Sequence, residues 1–278
     1  MRRSVVWGLA LSLTLGVMRP ATEAAAAPTT ISNCTTITTP GSFVLSKNLT
    51  PTKGDCLVVA ADFVTIDFAG FAIVGNNTGD GVTDLNHAPP HRGVVIRNGT
   101  VENCKRGVYL ANSIWSVVEG MRVIGNSDSG ITANTGGVVL GNVVSGNGSG
   151  KAIGVSNGIA SGNLVYENGG IGIGIGSQSI VEGNAVWGSG GDGIAVSGEA
   201  MVSGNLSNHN KGNGILLGYY GAGNYSTVSG NTAGSNGGAG LRVPCPSNII
   251  GNTAQNNTGP NVLTVGLSCN RAHNLPSP

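Results

Sequence analysis

The sequence has few charged and few aromatic side chains. Of its 278 residues, 14 are Lys or Arg and 13 are Asp or Glu, and aromatic residues make up 4%. Glycine, in contrast, occurs 48 times. The glycines follow no Gly-X-Y period, which excludes collagen, and apolar residues reach 40%, enough for a dry core, which argues against disorder. The composition therefore indicates an ordered protein that is not an ordinary compact globule.

No apolar run is long enough for a transmembrane helix. The longest, Val5 to Val17, follows Met1-Arg2-Arg3 and holds thirteen residues. At ~1.5 Å per residue it falls short of a hydrocarbon layer of ~30 Å. A small-residue stretch, Ala24 to Ala27, then offers several A-x-A cleavage sites. Residues 1–27 are therefore predicted to be a signal peptide, and the mature protein to be secreted or periplasmic without a membrane span.

The chain also lacks an excess of basic residues. Cleavage after residue 27 removes three basic side chains and one acidic one, so the formal charge falls from +1 to −1. Nucleic-acid binding needs a basic surface. We therefore expect no nucleic-acid partner.

Five cysteines remain in the mature chain. Cys34 and Cys56 lie near its start, Cys245 and Cys269 near its end, and Cys104 stands apart. In an oxidising compartment the local pairs Cys34–Cys56 and Cys245–Cys269 would staple the two ends. Other pairings are compatible with the sequence. Cys104 is predicted to be buried and free.

A glycine recurs at a nearly fixed interval, and this repeat predicts the fold. The spacings are 21, 21, 21, 21, 26 and 21 residues, and the repeat glycines are Gly120, Gly141, Gly162, Gly183, Gly204, Gly230 and Gly251. Such a period marks stacked supersecondary units. A leucine-rich horseshoe is disfavoured because L-x-x-L-x-L runs and helical returns are absent. Parallel strands at ~4.8 Å per coil fit better, and nine or ten coils give a rod of roughly 45 Å.

Apolar and amide residues keep fixed offsets from the repeat glycines. The apolar residue two positions before the glycine is predicted to point inward, and so is the one eleven positions after it. The first column is Val118, Val139, Ala160, Val181, Val202, Val228 and Ile249; the second is Ile131, Ala152, Ile173, Ile194, Ile215, Leu241 and Val262. Asparagines one and six positions after the glycines are predicted to form stacked amide ladders.

This pattern resembles the right-handed parallel β-helix family with pectin-lyase-like architecture, especially bacterial exported proteins with parallel β-helix repeats. The resemblance covers about residues 30–270. It depends on the V-x-G-N signature, as in Val202-Ser203-Gly204-Asn205, and on an N-terminal run, Pro40 to Leu45, followed by Cys56 and the stretch Val64 to Phe71. It implies a right-handed coil, a capped N-terminal end and a frequent connection with carbohydrate, but no particular activity.

The predicted organisation is a single all-β domain. Residues 1–27 are the signal peptide, 28–62 an N-terminal cap and first coil, 63–269 the parallel β-helix and 270–278 a C-terminal tail. We expect a monomer.

Motifs of the family's enzymes are missing. The N-T-D, D-D, G-H-G and R-I-K strings of polygalacturonases are absent, as is the D-P-H-E string of alginate epimerases. From Gly120 to Gly251, no two acids share a column on adjacent coils, so no carboxylate pair for acid–base work is evident. No cofactor is predicted. No metal site is predicted either, because Pro89 and Pro90 exclude a helix that would bring His87 and His91 onto one face.

If the protein performs chemistry on an acidic sugar, the interruption from about Gly75 to Arg92 is the predicted place. His87, His91 or Asp84 would act as base, and Arg92 would assist as a catalytic residue by binding a carboxylate. Arg97 and Arg122, in the densest charged region, are predicted to bind substrate. Tyr166 and Trp187 share an offset of four from their glycines and should stack, either on a sugar or as packing in a groove.

Two functions fit these observations. In the first, the exported β-helix binds a polysaccharide or cell-surface glycan, with cleavage or epimerisation as its enzymatic form. In the second, the protein is a non-catalytic extracellular scaffold or surface-interaction protein. A periplasmic accessory role, as in the β-helix protein that helps to mature the copper sites of nitrous-oxide reductase, is disfavoured by the few histidines and the lack of Met-rich or Cys-rich clusters.

Overall fold

The computed structural model describes residues 27–84, 89–218, 225–266 and 268–275. Nearly all of the predicted signal peptide and residue His87 lie outside these ranges. The described chain winds as a right-handed parallel β-solenoid, and each regular coil contributes one short strand to each of three parallel sheets, in the order sheet 1, sheet 2, sheet 3. No helix in the described part of the chain has the length and apolar character needed to span a membrane.

Sheet 1 has 12 strands, sheet 2 has nine and sheet 3 has 11. Sheet 1 consists of Thr29–Ile31, Gly41–Leu45, Val64–Asp67, Val95–Arg97, Val117–Glu119, Val138–Leu140, Ile159–Ser161, Ser179–Glu182, Ala200–Ser203, Thr227–Ser229, Asn248–Ile250 and Asn270–Ala272. Sheet 2 consists of Ala72–Val74, Thr100–Glu102, Arg122–Ile124, Val143–Ser145, Leu164–Tyr166, Ala185–Trp187, Leu206–Asn208, Thr232–Gly234 and Thr253–Gln255. Sheet 3 consists of Thr35–Ile37, Leu57–Val59, Val82–Asp84, Val108–Leu110, Ile131–Ala133, Ile153–Val155, Ile173–Ile175, Ile194–Val196, Ile215–Leu217, Leu241–Pro244 and Val262–Val265. Two further strands, His91–Arg92 and Ser113–Ile114, pair with each other.

The predicted inward columns form the core. Val181 pairs with Val202, as the repeat requires, and both are fully buried. One member of the second column, Ala152, is out of register by one residue. Ile131 pairs with Ile153 rather than with Ala152, because the coil that contains Gly141 has one extra residue before its sheet 3 strand. The interval from Ile153 to the next sheet 3 partner, Ile173, is correspondingly one residue shorter than the repeat. Ala152 is nevertheless buried.

The turn from sheet 1 to sheet 2 is fixed by glycine and asparagine. All seven repeat glycines have φ between 58° and 64°, a left-handed conformation that disfavours other residues. The following asparagines form the predicted ladder: Asn184 donates to Asn205 Oδ1 at 2.9 Å, and Asn205 donates to Asn231 Oδ1 at 3.0 Å. Each also donates to a carbonyl of the coil below, so the buried amides are satisfied.

Disulfides lie at both ends of the solenoid. Cys34 is bonded to Cys56 and Cys245 to Cys269, as predicted. Cys104 is free and buried, and burial raises its pKa to about 11. The solenoid has about 11 turns rather than nine or ten, because terminal coils without the glycine–asparagine pair also form strands. One of these strands, Asn270–Ala272, lies within the segment predicted as a tail.

Candidate functional site

A pocket of ≈ 370 Å³ lies beside sheet 3, where the repeat is interrupted. We call it the charged pocket. It is lined by Asp55, Thr78, Gly79, Asp80, Thr83, Asp84, Lys105, Arg106, Tyr109 and Asn112. Thr83 and Tyr109 are neighbours in sheet 3, and the turns that precede their strands supply Asp80, Lys105 and Arg106. Asp84 ends the strand of Thr83, and Asp55 precedes the strand of the coil before. Three carboxylates and two cations therefore meet in one depression.

Arg106 and Asp80 neutralise each other in this pocket. The Nε atom of Arg106 donates to Asp80 Oδ1 at 2.9 Å, and Nη2 donates to Oδ2, so the pair is bidentate. The guanidinium carbon also lies 3.4 Å from the centroid of the Tyr109 ring. The hydrogen bond to Asp80 raises the pKa of Arg106. This pair is fixed in the wall, which leaves Lys105 as the exposed cation of the lining.

Asp84, the predicted base, is buried at the end of its strand. Burial raises the pKa of its carboxyl group. Its Oδ2 accepts hydrogen bonds from Ser113 Oγ at 2.7 Å and from the Asn112 amide at 2.8 Å, and its Oδ1 accepts one from Asn112 Nδ2 at 3.3 Å. These donors hold the carboxyl group against the next coil, so the described contacts favour a positioning role.

His91 and Arg92 approach the same region from another side. His91 pairs in register with Ser113, the residue that donates to Asp84. Its Nδ1 lies 3.4 Å from Asp62 Oδ1. Arg92 is exposed, and its guanidinium carbon lies 5.6 Å from the centroid of the Trp115 ring. Asp84 and His91 therefore both neighbour Ser113, in the strand Ser113–Ile114. The Arg92 side chain lies over Trp115 instead.

The two arginines predicted to bind substrate lie on different walls. Arg97 is in sheet 1, and its Nε donates to Asp67 Oδ2 at 2.9 Å. Burial raises the pKa of Asp67, but hydrogen bonds from Ala69 and Asn98 and the charge of Arg97 outweigh burial and lower it overall. Arg122 is exposed in sheet 2 between Thr100 and Val143. Neither arginine lines the charged pocket.

Tyr166 and Trp187 stack on the outside of sheet 2. They pair in register, their ring centroids are 6.5 Å apart and their planes differ by 28°. Trp187 is 48% exposed, so the pair does not fill a closed groove. We define the sheet 2 patch as the outward residues of three coils, namely Leu164, Tyr166, Ala185, Trp187, Leu206 and Asn208.

Polar residues border this patch. Glu167 and His209 follow Tyr166 and Asn208 directly, and both have left-handed backbones, with φ of 55°. A Cβ at Gly188, which lies between them in the column, would be 3.6 Å from Glu167 Cγ. The Glu167 side chain therefore lies beside the residue that follows Trp187. Apolar faces and polar edges meet here, a combination suited to sugars.

Sequence reasoning missed three residues of the charged pocket and two exposed aromatic side chains. Asp55, Tyr109 and Asn112 precede the region with regular glycine spacing, so their offsets could not be compared between coils. Phe63 and Trp115 are 64% and 57% exposed. Trp115 stands five residues before Gly120, an offset at which later coils also carry exposed residues, and this signal could have found it. No group of three or more metal-binding side chains occurs among the described residues.

Comparisons with known proteins agree with the fold. Residues 147–259 match a family model described as a right handed beta helix region. No curated protein matched the sequence. Among solved structures, the chain is similar to the A-module of mannuronan C-5 epimerase AlgE4 from Azotobacter vinelandii, with 13% identity, coverage of 86% of this chain and 85% of that one, and a TM-score of 0.66.

Two other solved structures are similar in the same way. ORF18 of Geobacillus virus E2 has 12% identity and a TM-score of 0.57, over 83% of this chain and 53% of that one. The periplasmic alginate epimerase AlgG has 14% identity and a TM-score of 0.50, over 86% and 78%. Likeness at these identities concerns the fold alone. The glycine repeat, the sheet topology and these matches together show that the chain has the right-handed parallel β-helix fold.

Proposed function

We propose that this protein binds a polysaccharide through the sheet 2 patch. The observation that carries the proposal is the Tyr166–Trp187 stack, which places an exposed indole beside a half-buried phenol on the outside of a parallel sheet. Sugar rings are apolar on their faces and hydroxylated at their edges. The indole of Trp187 offers the apolar contact, while Glu167, Asn208 and His209 lie where they can meet hydroxyl groups.

The similar structures support this choice of ligand. The AlgE4 module and AlgG are, by name, epimerases of mannuronan and alginate. The two disulfides suit an oxidising compartment, and we propose that the protein acts in the periplasm or outside the cell. A repeating wall of coils also presents equivalent positions at regular intervals, which suits a ligand that is itself a repeating chain.

Binding is favoured over catalysis by the state of the charged pocket. The Asp84 carboxyl group is held by three donors, and Arg106 is paired with Asp80. Chemistry at Asp84 would require these hydrogen bonds to rearrange. Incubation of the protein with linear uronans, followed by absorbance of unsaturated uronate and by proton NMR of the anomeric signals, tests for lyase and epimerase activity. A turnover that Asp84→Asn abolishes would assign catalysis to this pocket.

Titration of immobilised polysaccharides with the purified protein tests the binding proposal. We expect Trp187→Ala and Tyr166→Ala each to weaken binding about tenfold, since each removes one stacking face. Met201→Ala, which shortens an exposed apolar side chain on sheet 1, serves as the matched control and should bind like the parent. Binding that is equal in all four proteins would reject the sheet 2 patch.

A further inference from the structure

A second row of exposed side chains follows the corner at which sheet 3 turns into sheet 1. Successive coils pair here in register, from Thr65 with Val95 to Met201 with Thr227. The residues two positions before these pairs therefore form a column parallel to the solenoid axis, which we call the corner column. Its members are Phe63, Gly93, Trp115, Gly136, Asn157, Gln178, Glu199 and Tyr225.

The aromatic members of this column occupy unfavourable positions. Phe63, Trp115 and Tyr225 have φ of 53°, 57° and 67°, a left-handed region in which a Cβ atom is strained. They are also 64%, 57% and 75% exposed, so burial of their rings does not offset the strain. Glycine would satisfy the backbone better and occurs at two positions of the same column. Strain without burial points to a ligand as the reason for these side chains.

Two of the aromatic rings pack against the glycines of the column. A Cβ at Gly93 would lie 2.9 Å from Phe63 Cδ1, and one at Gly136 would lie 2.4 Å from Trp115 Cδ1. Each ring therefore lies against the backbone of the next coil, and any larger residue there would push it away. The alternation of aromatic residue and glycine produces two platforms that are two coils, or ~10 Å, apart.

Arg92 brings a cation between the platforms. It lies on the coil between Phe63 and Trp115, and its guanidinium carbon is 5.6 Å from the Trp115 ring centroid. In the part of the chain that the structure describes, the Arg92 guanidinium forms no salt bridge. The neighbouring Asp62 Oδ1 instead accepts a hydrogen bond from the Arg92 backbone amide at 3.2 Å and lies 3.4 Å from His91 Nδ1. The guanidinium can therefore receive a carboxylate from a ligand.

We propose that the corner column binds an extended, 1,4-linked chain of uronic acids lengthwise. This inference rests on the proposed function, because it takes a glycan as ligand, but it assigns a separate surface. One coil rises by ~4.8 Å, about the length of one sugar in an extended 1,4-linked chain. Phe63 and Trp115 then stack on alternate sugars, which present the same face, and Arg92 binds the carboxylate of the sugar between them. Asn157 and Gln178 extend the row with exposed amides as far as Glu199, whose exposed carboxylate would repel a uronate and so ends the stretch proposed to bind.

Substitution by glycine separates a binding role from a structural one. Trp115→Gly introduces the residue that the column uses at Gly93 and Gly136, so we expect equal or greater resistance to urea, with binding of polygalacturonate or polymannuronate reduced about tenfold. Lower stability together with unchanged binding would show that Trp115 is structural and would overturn the proposal. Phe63→Gly provides an independent second test with the same expectation.

Charge is tested with a neutral chain of the same linkage. Arg92→Gln should weaken binding of the uronans and reduce its dependence on salt, while binding of a linear 1,4-linked glucan stays unchanged. An equal loss of affinity for the uronans and for the glucan, or no loss of affinity for either, would overturn the role of Arg92. Trp187→Ala is measured in the same series. If it lowers binding and Trp115→Gly does not, the corner column is rejected and the sheet 2 patch stands; if no glycan binds the parent protein, both are rejected.

Discussion

The repeat glycines are required for their backbone conformation and not for space. Gly183 has φ of 60°, and a Cβ added there would meet no atom within 4 Å. Gly183→Ala should therefore lower the free energy of unfolding by about 1 to 2 kcal/mol through left-handed strain alone. Urea denaturation followed by circular dichroism measures this change. Gly183→Asn is the control, because asparagine tolerates the left-handed region, and it should lose less than alanine. Equal stability of the alanine variant and the parent would contradict this explanation.

At the scale of elements, the two asparagine ladders differ at one point. The second ladder runs through Asn147 and Asn168 and resumes at Asn210, but Ser189 occupies the intervening coil. The Ser189 hydroxyl is buried and has no hydrogen-bond partner among the described residues. The ladder is thus interrupted at a site where each neighbouring coil carries an amide.

Ser189→Asn should join the two halves of this ladder. The new amide would donate to Asn210 Oδ1, as Asn147 donates to Asn168, and we expect a gain of about 1 kcal/mol in the free energy of unfolding. Glycine faces the site, as it does at Asn210, so the larger side chain has comparable room. Asn205→Ser creates the same gap in the first ladder and should be destabilising in the same urea titration. A loss of stability in Ser189→Asn would show that steric crowding outweighs the added hydrogen bonds.

The elements that could be predicted from the sequence are those with a repeat glycine as reference. The pairing of Val181 with Val202 follows from the sequence because both stand two residues before a glycine. The pairing of Tyr166 with Trp187 follows because both stand four residues after one. Ala152 is misplaced because one extra residue before the sheet 3 strand is compensated by one fewer residue before the next sheet 1 strand, so the spacing from Gly141 to Gly162 stays at 21. Spacing between glycines reports the length of a whole coil and not the division of that length among its three strands.

The charged residues were harder to place for the same reason. Asp84, His91 and Arg92 belong to coils that precede Gly120, where no column could be aligned. Proximity in sequence suggested one cluster, but successive residues of a strand point to opposite sides, and Arg92 faces Trp115 while His91 faces Asp62. At a corner, the contacts of a long side chain depend on which residue of the next coil lies beneath it. The coils before Gly120 have no sequence repeat from which that residue could be identified.

At the scale of the whole molecule, stability should vary along the solenoid axis. Each coil contacts only its neighbours, so the end coils have one partner each and are the places where opening begins. The disulfides Cys34–Cys56 and Cys245–Cys269 tie these ends, with separations of 22 and 24 residues. Loop closure of this size contributes about 3 kcal/mol. The cross-links thus lie where nearest-neighbour packing is weakest.

Replacement of both Cys245 and Cys269 by serine should therefore loosen one end of the molecule and not its centre. We expect faster amide hydrogen exchange in Leu241–Pro244 and Asn270–Ala272, with exchange in Val139 to Ser207 unchanged, because the opening of the last coils leaves the central register intact. Replacement of Cys34 and Cys56 by serine should likewise accelerate amide hydrogen exchange in the first coils and leave exchange at the centre unchanged. Uniform acceleration along the chain in either variant would mean that the solenoid opens as one cooperative unit, so that a contact at an end stabilises every coil equally.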